Sequence, residues 1–241
     1  MRKILIHGAN SDIAYEFIKL SKTRYDEYHL FIKSEQKHSY EFISSAKIFI
    51  YRADLKSLEK TMEALNNLPN DITDIFWVSG YTGDSILEAS DSKAILENVN
   101  INFLNVVISI NEILLNKFKI INHKQHICVI TSVAGLRGRK KNLFYGASKS
   151  GLISYLSGLR QKYKEKINIC TVIPGYINTQ EFRKLKTISP NFLITEPSEC
   201  AKIIMKSLDK NKEIVFIDYK WRIIMFFLRL IPEKIFKKLD F

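Results

Sequence analysis

The chain has 241 residues, 46% of them hydrophobic and 26% charged, an ordinary balance for a soluble globular protein and enough for one large α/β domain with a buried core. Its net charge of +12 suits phosphorylated ligands or an anionic membrane surface. No helix-turn-helix, zinc-finger or aromatic RNA-binding signature accompanies that charge, so nucleic acid is the weakest of these partners and none is expected.

In chain order, Lys3 to Ile6 is a short apolar strand, too short a run for a signal peptide. It leads into His7-Gly8-Ala9-Asn10-Ser11-Asp12-Ile13-Ala14 and then a helical pattern to about Lys22. A strand, a glycine-bearing turn and a helix make a phosphate-binding opening, because free N–H groups at the helix start face an anion. Ser11 and Asp12 also suit the helix N-cap, and an acidic side chain there should point away from a pyrophosphate. Tyr28 to Ile32 reads as a second strand with Lys33 just beyond it. Lys47 to Tyr51 is a third, followed by Asp54-Leu55, with Asp54 a candidate cap for a helix from Leu55 to Asn66. Ile72 to Val78 is a fourth strand, ending in Ser79-Gly80. Ser92 to Asn116 has helical periodicity, and no stretch of the chain approaches the ~20 apolar residues of a membrane-spanning helix.

The apolar run His126 to Ile130 predicts a buried strand that ends at Ser132. Tyr145 and Lys149, four apart at the start of a helix that continues through Leu152 to Lys164, share one helical face. A free phenol, with a pKa near about 10, is a poor acid–base group at neutral pH. An adjacent ammonium favours the phenolate and brings it into range, and a serine hydroxyl aimed at the same point holds a carbonyl or alkoxide oxygen. Ile167 to Ile173 is a further strand, running into Pro174-Gly175-Tyr176-Ile177-Asn178-Thr179. Gln180 to Thr195 reads as a mobile loop, Pro197 to Leu208 as a helix and Glu213 to Ile217 as the last strand. Cys128, Cys170 and Cys200 have no paired spacing and no nearby His at ligand intervals; as small buried hydrophobes they fit a reducing cytosol. Alternation of strand and helix predicts one Rossmann-like, doubly wound parallel sheet over residues 1–217, with helices on both faces.

Ser132 followed by Tyr145 and Lys149 at this interval resembles the signature of the short-chain dehydrogenase/reductase family, and Pro174-Gly175 with Thr179 resembles its Pro-Gly-x-x-x-Thr. The resemblance covers about Arg2 to Ile217. It implies an NAD(P)H-dependent reductase of carbonyl groups in which Tyr145 is the general acid, Ser132 positions the oxygen, and Lys149 tunes Tyr145 and holds the nicotinamide ribose. It further implies a proton-relay asparagine, for which Asn100 fits best and Asn102 is the fallback. Gly8, Asn10, Ser11, Asp12 and Ile13 would form the pyrophosphate turn, Asp54 and Leu55 would meet the adenine, and Gly80 would line the cofactor cleft. Pro174, Gly175, Ile177 and Thr179 would receive the nicotinamide amide. The chain departs from the family at two motifs: Asp12 and Ala14 replace two glycines of the turn and His7 its threonine, and Trp77-Val78-Ser79-Gly80 stands for Asn-Asn-Ala-Gly. The aspartate that closes the second strand in NAD-preferring members is missing, and Lys33 stands there instead, which favours NADP(H) over NAD(H).

Residues 218–241 form a basic, aromatic tail, with Lys220, Arg222, Arg229, Lys234, Lys237 and Lys238 set against Glu233 and Asp240. Such a segment suits peripheral contact with a membrane, on its inner face for a cytoplasmic protein, or packing in a homo-oligomer. The Asn10-Ser11-Asp12-Ile13-Ala14 turn with this tail resembles members that reduce a ketosugar on a polyprenyl phosphate, the decaprenylphosphoryl-2-keto-ribose reductases of cell-envelope polysaccharide synthesis. The alternatives are a soluble ketone or 3-oxoacyl reductase and a non-catalytic, nucleotide-binding regulatory member. No metal site is expected.

Overall fold

The computed structural model describes residues 1–83, 91–184 and 190–239. Seven parallel strands form the central sheet: β1 (Lys3–His7), β2 (Glu27–Ile32), β3 (Lys47–Arg52), β4 (Asp74–Trp77), β5 (Gln125–Ile130), β6 (Ile167–Ile173) and β9 (Ile214–Phe216). Their order across the sheet is β3-β2-β1-β4-β5-β6-β9, so the chain reverses direction of winding between β1 and β4. Ligands of such sheets bind beyond the carboxyl ends of the strands at that crossover. Two short strands, β7 (Tyr176–Ile177) and β8 (Ile194–Thr195), pair separately beyond β6.

The inner strands read as continuous apolar runs because both faces of the sheet are covered. Ile4 and Ile6 of β1, with Cys128 of β5 and Val172 of β6, face α1 (Asp12–Ser21) and the helix Pro197–Asp209. Leu5, Ile127, Val129 and Ile169 alternate to the other face, against α2 (Leu58–Asn66), α4 (Asn105–Asn116) and α5 (Leu143–Tyr163), while α3 (Ser92–Val99) leads into α4. All three cysteines are buried and free. β3, at the sheet edge, exposes Phe49 and Ile50.

Several boundaries shift from the sequence expectation. The second helix starts at Leu58, capped by Ser57, whose hydroxyl accepts from Lys60 N at 3.2 Å; Asp54 instead accepts from Lys56 N at 3.1 Å. β4 is shorter than the apolar run, since Ile72 makes only an isolated bridge to Phe118. The helical stretch Ser92–Asn116 is interrupted by a π turn at Asn100–Leu104, in which Asn105 N donates to Asn100 O. Contrary to the expectation, that 25-residue stretch is long and apolar enough to cross a membrane by length and composition. In the fold it is a core helix, with Val106, Ile110 and Ile113 buried against the sheet.

The final helices are α6 (Gln180–Lys184), α7 (Pro197–Asp209), α8 (Tyr219–Leu230) and α9 (Glu233–Phe236). Part of the loop expected over Gln180 to Thr195, residues 185–189, lies outside the described residues, as do 240–241 of the tail.

Candidate active site

The turn after β1 is fixed by Gly8. Its φ is +88°, and a Cβ there would lie 2.7 Å from Ser79 N, so any other residue would be strained and would collide with the end of β4. Ser11 caps α1, its hydroxyl accepting from Ile13 N at 3.3 Å. Asn10 is turned towards the segment after β2: its amide donates to Glu35 O and accepts from Lys37 N. Asp12 points away from the turn, as an acidic residue at this place must. It accepts from Lys37 Nζ at 2.7 Å and from Gln180 N at 2.7 Å, tying the phosphate turn to the first residue of α6. Burial pushes that carboxyl up, but Lys37 and the Gln180 N–H outweigh it and hold the pKa below the usual range. The eroded glycine motif therefore leaves the N-terminus of α1 open to an anion, and the residues present fit a dinucleotide there.

His7 and Ser79, which stand where the family pattern has other residues, form a pair of their own. His7 Nδ1 lies 2.7 Å from Ser79 Oγ, and the imidazole stacks on Trp77 with centroids 4.1 Å apart. Burial drives its pKa down to about 3, so it is neutral at physiological pH. Lys33 is exposed just past β2, with no ion pair among the described residues. Asp54 is half-buried past β3, and Leu55 is buried beside it.

Ser132, Tyr145 and Lys149 come together at the carboxyl end of β5. Ser132 is extended, 9% exposed, and accepts from Ala134 N at 3.1 Å, while Val133 N donates to Pro174 O and so fastens this segment to the end of β6. Burial raises the pKa of the Tyr145 phenol, and the Ser132 hydroxyl and the Arg139 charge pull it partly back. Lys149 is 2% exposed, donates to Ile130 O at 3.3 Å, and has its pKa lowered to about 8 by burial. Its ammonium sits 5.8 Å from the centroid of the Tyr145 ring. Of the nearby charges, Arg139 is the one that pulls the phenol down.

The asparagine beside this group is Asn102, not Asn100. Asn102 is fully buried; its amide donates to Tyr81 O, Asn98 O and Asn98 Oδ1 and accepts from Tyr81 N. A Cβ placed on Gly80 would stand 3.3 Å from Asn102 Oδ1 and 3.2 Å from Lys149 Nζ, which locates all three at one point. Asn100 is half-buried and spends its carbonyl on the π turn.

Beyond β6, Ile177 is buried and its carbonyl accepts from Thr179 N at 2.7 Å, while the Thr179 hydroxyl caps α6 by accepting from Phe182 N at 3.2 Å. Trp221, which the sequence places only in the aromatic tail, is the unforeseen neighbour. It is 5% exposed, lies against Gly175, meets Tyr176 edge-on at 5.3 Å and donates from Nε1 to Leu193 O at 3.2 Å. It thus holds both approaches to the segment between β7 and β8.

A family model described as short chain dehydrogenase matches residues 2–188. An uncharacterised oxidoreductase of Mycobacterium tuberculosis is 28% identical over 114 residues, 47% of this chain and 45% of that protein. The chain spans about half the length of the first such curated relatives it matches. A 3-oxoacyl-[acyl-carrier-protein] reductase of Buchnera aphidicola is 26% identical over 87% of this chain and 85% of its own. Among solved structures, a short chain dehydrogenase from Burkholderia cenocepacia in complex with NADP superposes with a TM-score of 0.78 at 16% identity, covering 99% of each chain; at that identity the likeness is one of fold.

Proposed function

Because this chain belongs to the short-chain dehydrogenase family, a family of NAD(P)-dependent oxidoreductases, we propose that it reduces a carbonyl group to an alcohol with a nicotinamide cofactor. The observation that carries this reading is the convergence of Ser132, Tyr145 and Lys149 at the carboxyl end of β5, with Asn102 adjoining through Gly80. A bound nicotinamide supplies the hydride. Tyr145, with its pKa held above the usual value, is protonated at neutral pH and gives its proton to the carbonyl oxygen. Ser132 holds that oxygen, and Arg139 stabilises the phenolate left behind. Lys149 would hold the cofactor ribose and, with its lowered pKa, return a proton to Tyr145 through a water that Asn102 would hold. Gly8, Ser11 and Ile13 would hold the pyrophosphate at the start of α1, Asp54 and Leu55 the adenine, and Ile177 and Thr179 the nicotinamide amide.

Tyr145→Phe tests the assignment: turnover should fall by about 10²–10⁴-fold while nicotinamide nucleotide still binds. Full turnover in that variant would overturn it. NADP(H) is the preferred cofactor, on the strength of the exposed Lys33 where an acidic residue would oppose a 2′-phosphate. The substrate reading is a ketone on an amphiphilic carrier, such as a lipid-linked ketosugar. What supports it is the exposed apolar and basic surface of α8 and α9 beside the site, and it makes the enzyme a peripheral one at a membrane's inner face.

A further inference from the structure

The outward side of α8 is apolar, although no part of the described fold covers it. Tyr219, Ile223, Phe226, Phe227 and Leu230 are all exposed, Phe226 at 60% and Phe227 at 62%. At 3.6 residues per turn these five share the arc opposite Trp221 and Met225, the residues by which α8 is seated on the fold. Arg222 and Arg229 run along one flank of that arc and Lys220 stands on the other. The surface continues onto α9 through exposed Ile235, Lys234, Lys237 and Lys238. Among the described residues, Arg222, Arg229, Lys234, Lys237 and Lys238 make no ion pair.

This surface is joined to the rim of the candidate active site. The Arg137 guanidinium donates to Ile231 O at 3.1 Å and to Glu233 at 2.8 Å, and lies 4.2 Å from the centre of the Phe236 ring. Arg137 opens the basic stretch that runs through Arg139 and exposed Lys141 to Tyr145. Arg137 therefore ties this basic loop to the turn between α8 and α9.

We propose that this surface docks the protein on an anionic lipid bilayer, with α8 lying along the interface. Large aromatic side chains suit the headgroup boundary, and flanking arginines and lysines suit lipid phosphates. With only 12 residues, α8 is too short to span and lies on the surface instead. A second copy of this chain is the poorer occupant, because a two-fold contact would set these cations against themselves. The docking stands on its own observations; only its consequence, delivery of a bilayer-borne carbonyl compound to Tyr145, rests on the reductase reading.

The test is co-sedimentation of the full chain with vesicles of phosphatidylcholine alone and of phosphatidylcholine mixed with phosphatidylglycerol. The wild type should bind the anionic vesicles, bind the neutral ones weakly, and be released by high salt. The double variant Phe226→Ser/Phe227→Ser, altered only at exposed positions, should bind the anionic vesicles about tenfold more weakly with an unchanged melting temperature. Sedimentation equilibrium of both forms without lipid runs alongside, as does turnover of a water-soluble ketone. Equal vesicle binding by the two forms overturns the proposal. So does a loss of oligomer mass in the variant without loss of lipid binding, which would make the face a contact between copies. Undiminished turnover of the soluble ketone by a variant that no longer binds vesicles separates docking from catalysis; lack of turnover by the wild type would count against the reductase reading alone.

Discussion

Gly175 and Trp221 occupy one space, and a two-site variant series measures that. An added Cβ on Gly175 would lie 1.9 Å from Trp221 Nε1, 2.1 Å from its Cε2 and 2.4 Å from its Cδ1. These are atoms of a rigid ring that is 5% exposed, held at Nε1 by Leu193 O and flanked by Tyr176, so it has no free direction in which to move. Overpacking of a rigid site costs about 1–3 kcal/mol, and Gly175→Ala should fall at the upper end of that range. Trp221→Ala removes the indole and its hydrogen bond, at about 3–5 kcal/mol. Once the ring is gone the alanine has room, so Gly175→Ala/Trp221→Ala should be as stable as Trp221→Ala alone, a coupling of about 2–3 kcal/mol. Urea unfolding of the four forms at one pH gives the cycle, and each kcal/mol should also move Tm by about 2–4 °C in a chain of this length. An equal cost for Gly175→Ala in both backgrounds would refute the argument, because the forbidden side chain would then be excluded by something other than Trp221.

Asn102→Ala removes the side-chain acceptor of the Tyr81 N–H and should cost about 1–3 kcal/mol together with most of the turnover. Asn100→Ala should stay within about 0.5 kcal/mol of wild type, and thermal melts of the pair decide between the two. Lys33→Ala should raise the dissociation constant for NADPH about tenfold and leave NADH unchanged in a fluorescence titration, since a surface cation meeting a phosphate contributes about 1 kcal/mol or more. For Lys149 the folded pKa of about 8 lies below the unfolded value, so the unfolded chain holds a proton that the folded one gives up between those limits. Parent stability should therefore gain from this group as pH rises from about 8 towards 10.5, and its burden should be greatest below 8. Lys149→Met, inactive in turnover, should be stabilised by up to about 3 kcal/mol at pH 7. That advantage should shrink by pH 10; a constant difference across the range would show that Lys149 does not titrate as described.

What the sequence could show was set by how local the cause is. The parallel strands are legible because burial on both faces writes them as unbroken apolar runs, and Tyr145 and Lys149 are legible because one helical turn relates them. Asp12 is not legible in the same way. Its partners Lys37 and Gln180 lie 25 and 168 residues along the chain, so a residue that reads as damage to a phosphate turn is in the fold a tie between that turn and α6. Asn102 could be named only as the second choice, because local context cannot show which of two asparagines in one π turn meets Gly80.

The last helix shows the same limit from the other side. A stretch such as Trp221-Arg222-Ile223-Ile224-Met225-Phe226-Phe227 carries more apolar residues than one face of a surface helix needs, and periodicity cannot say where the surplus goes. In the fold it divides: Trp221 and Met225 turn inward, where the indole closes over Gly175, while Phe226 and Phe227 turn outward. Deleting the whole tail would therefore remove a buried wedge together with an exposed surface, and any change in lipid binding would be confounded with damage to the Pro174-Gly175 turn. Substitution at Phe226 and Phe227 alone separates the two, because the inward half of α8 stays in place and keeps the site as it is.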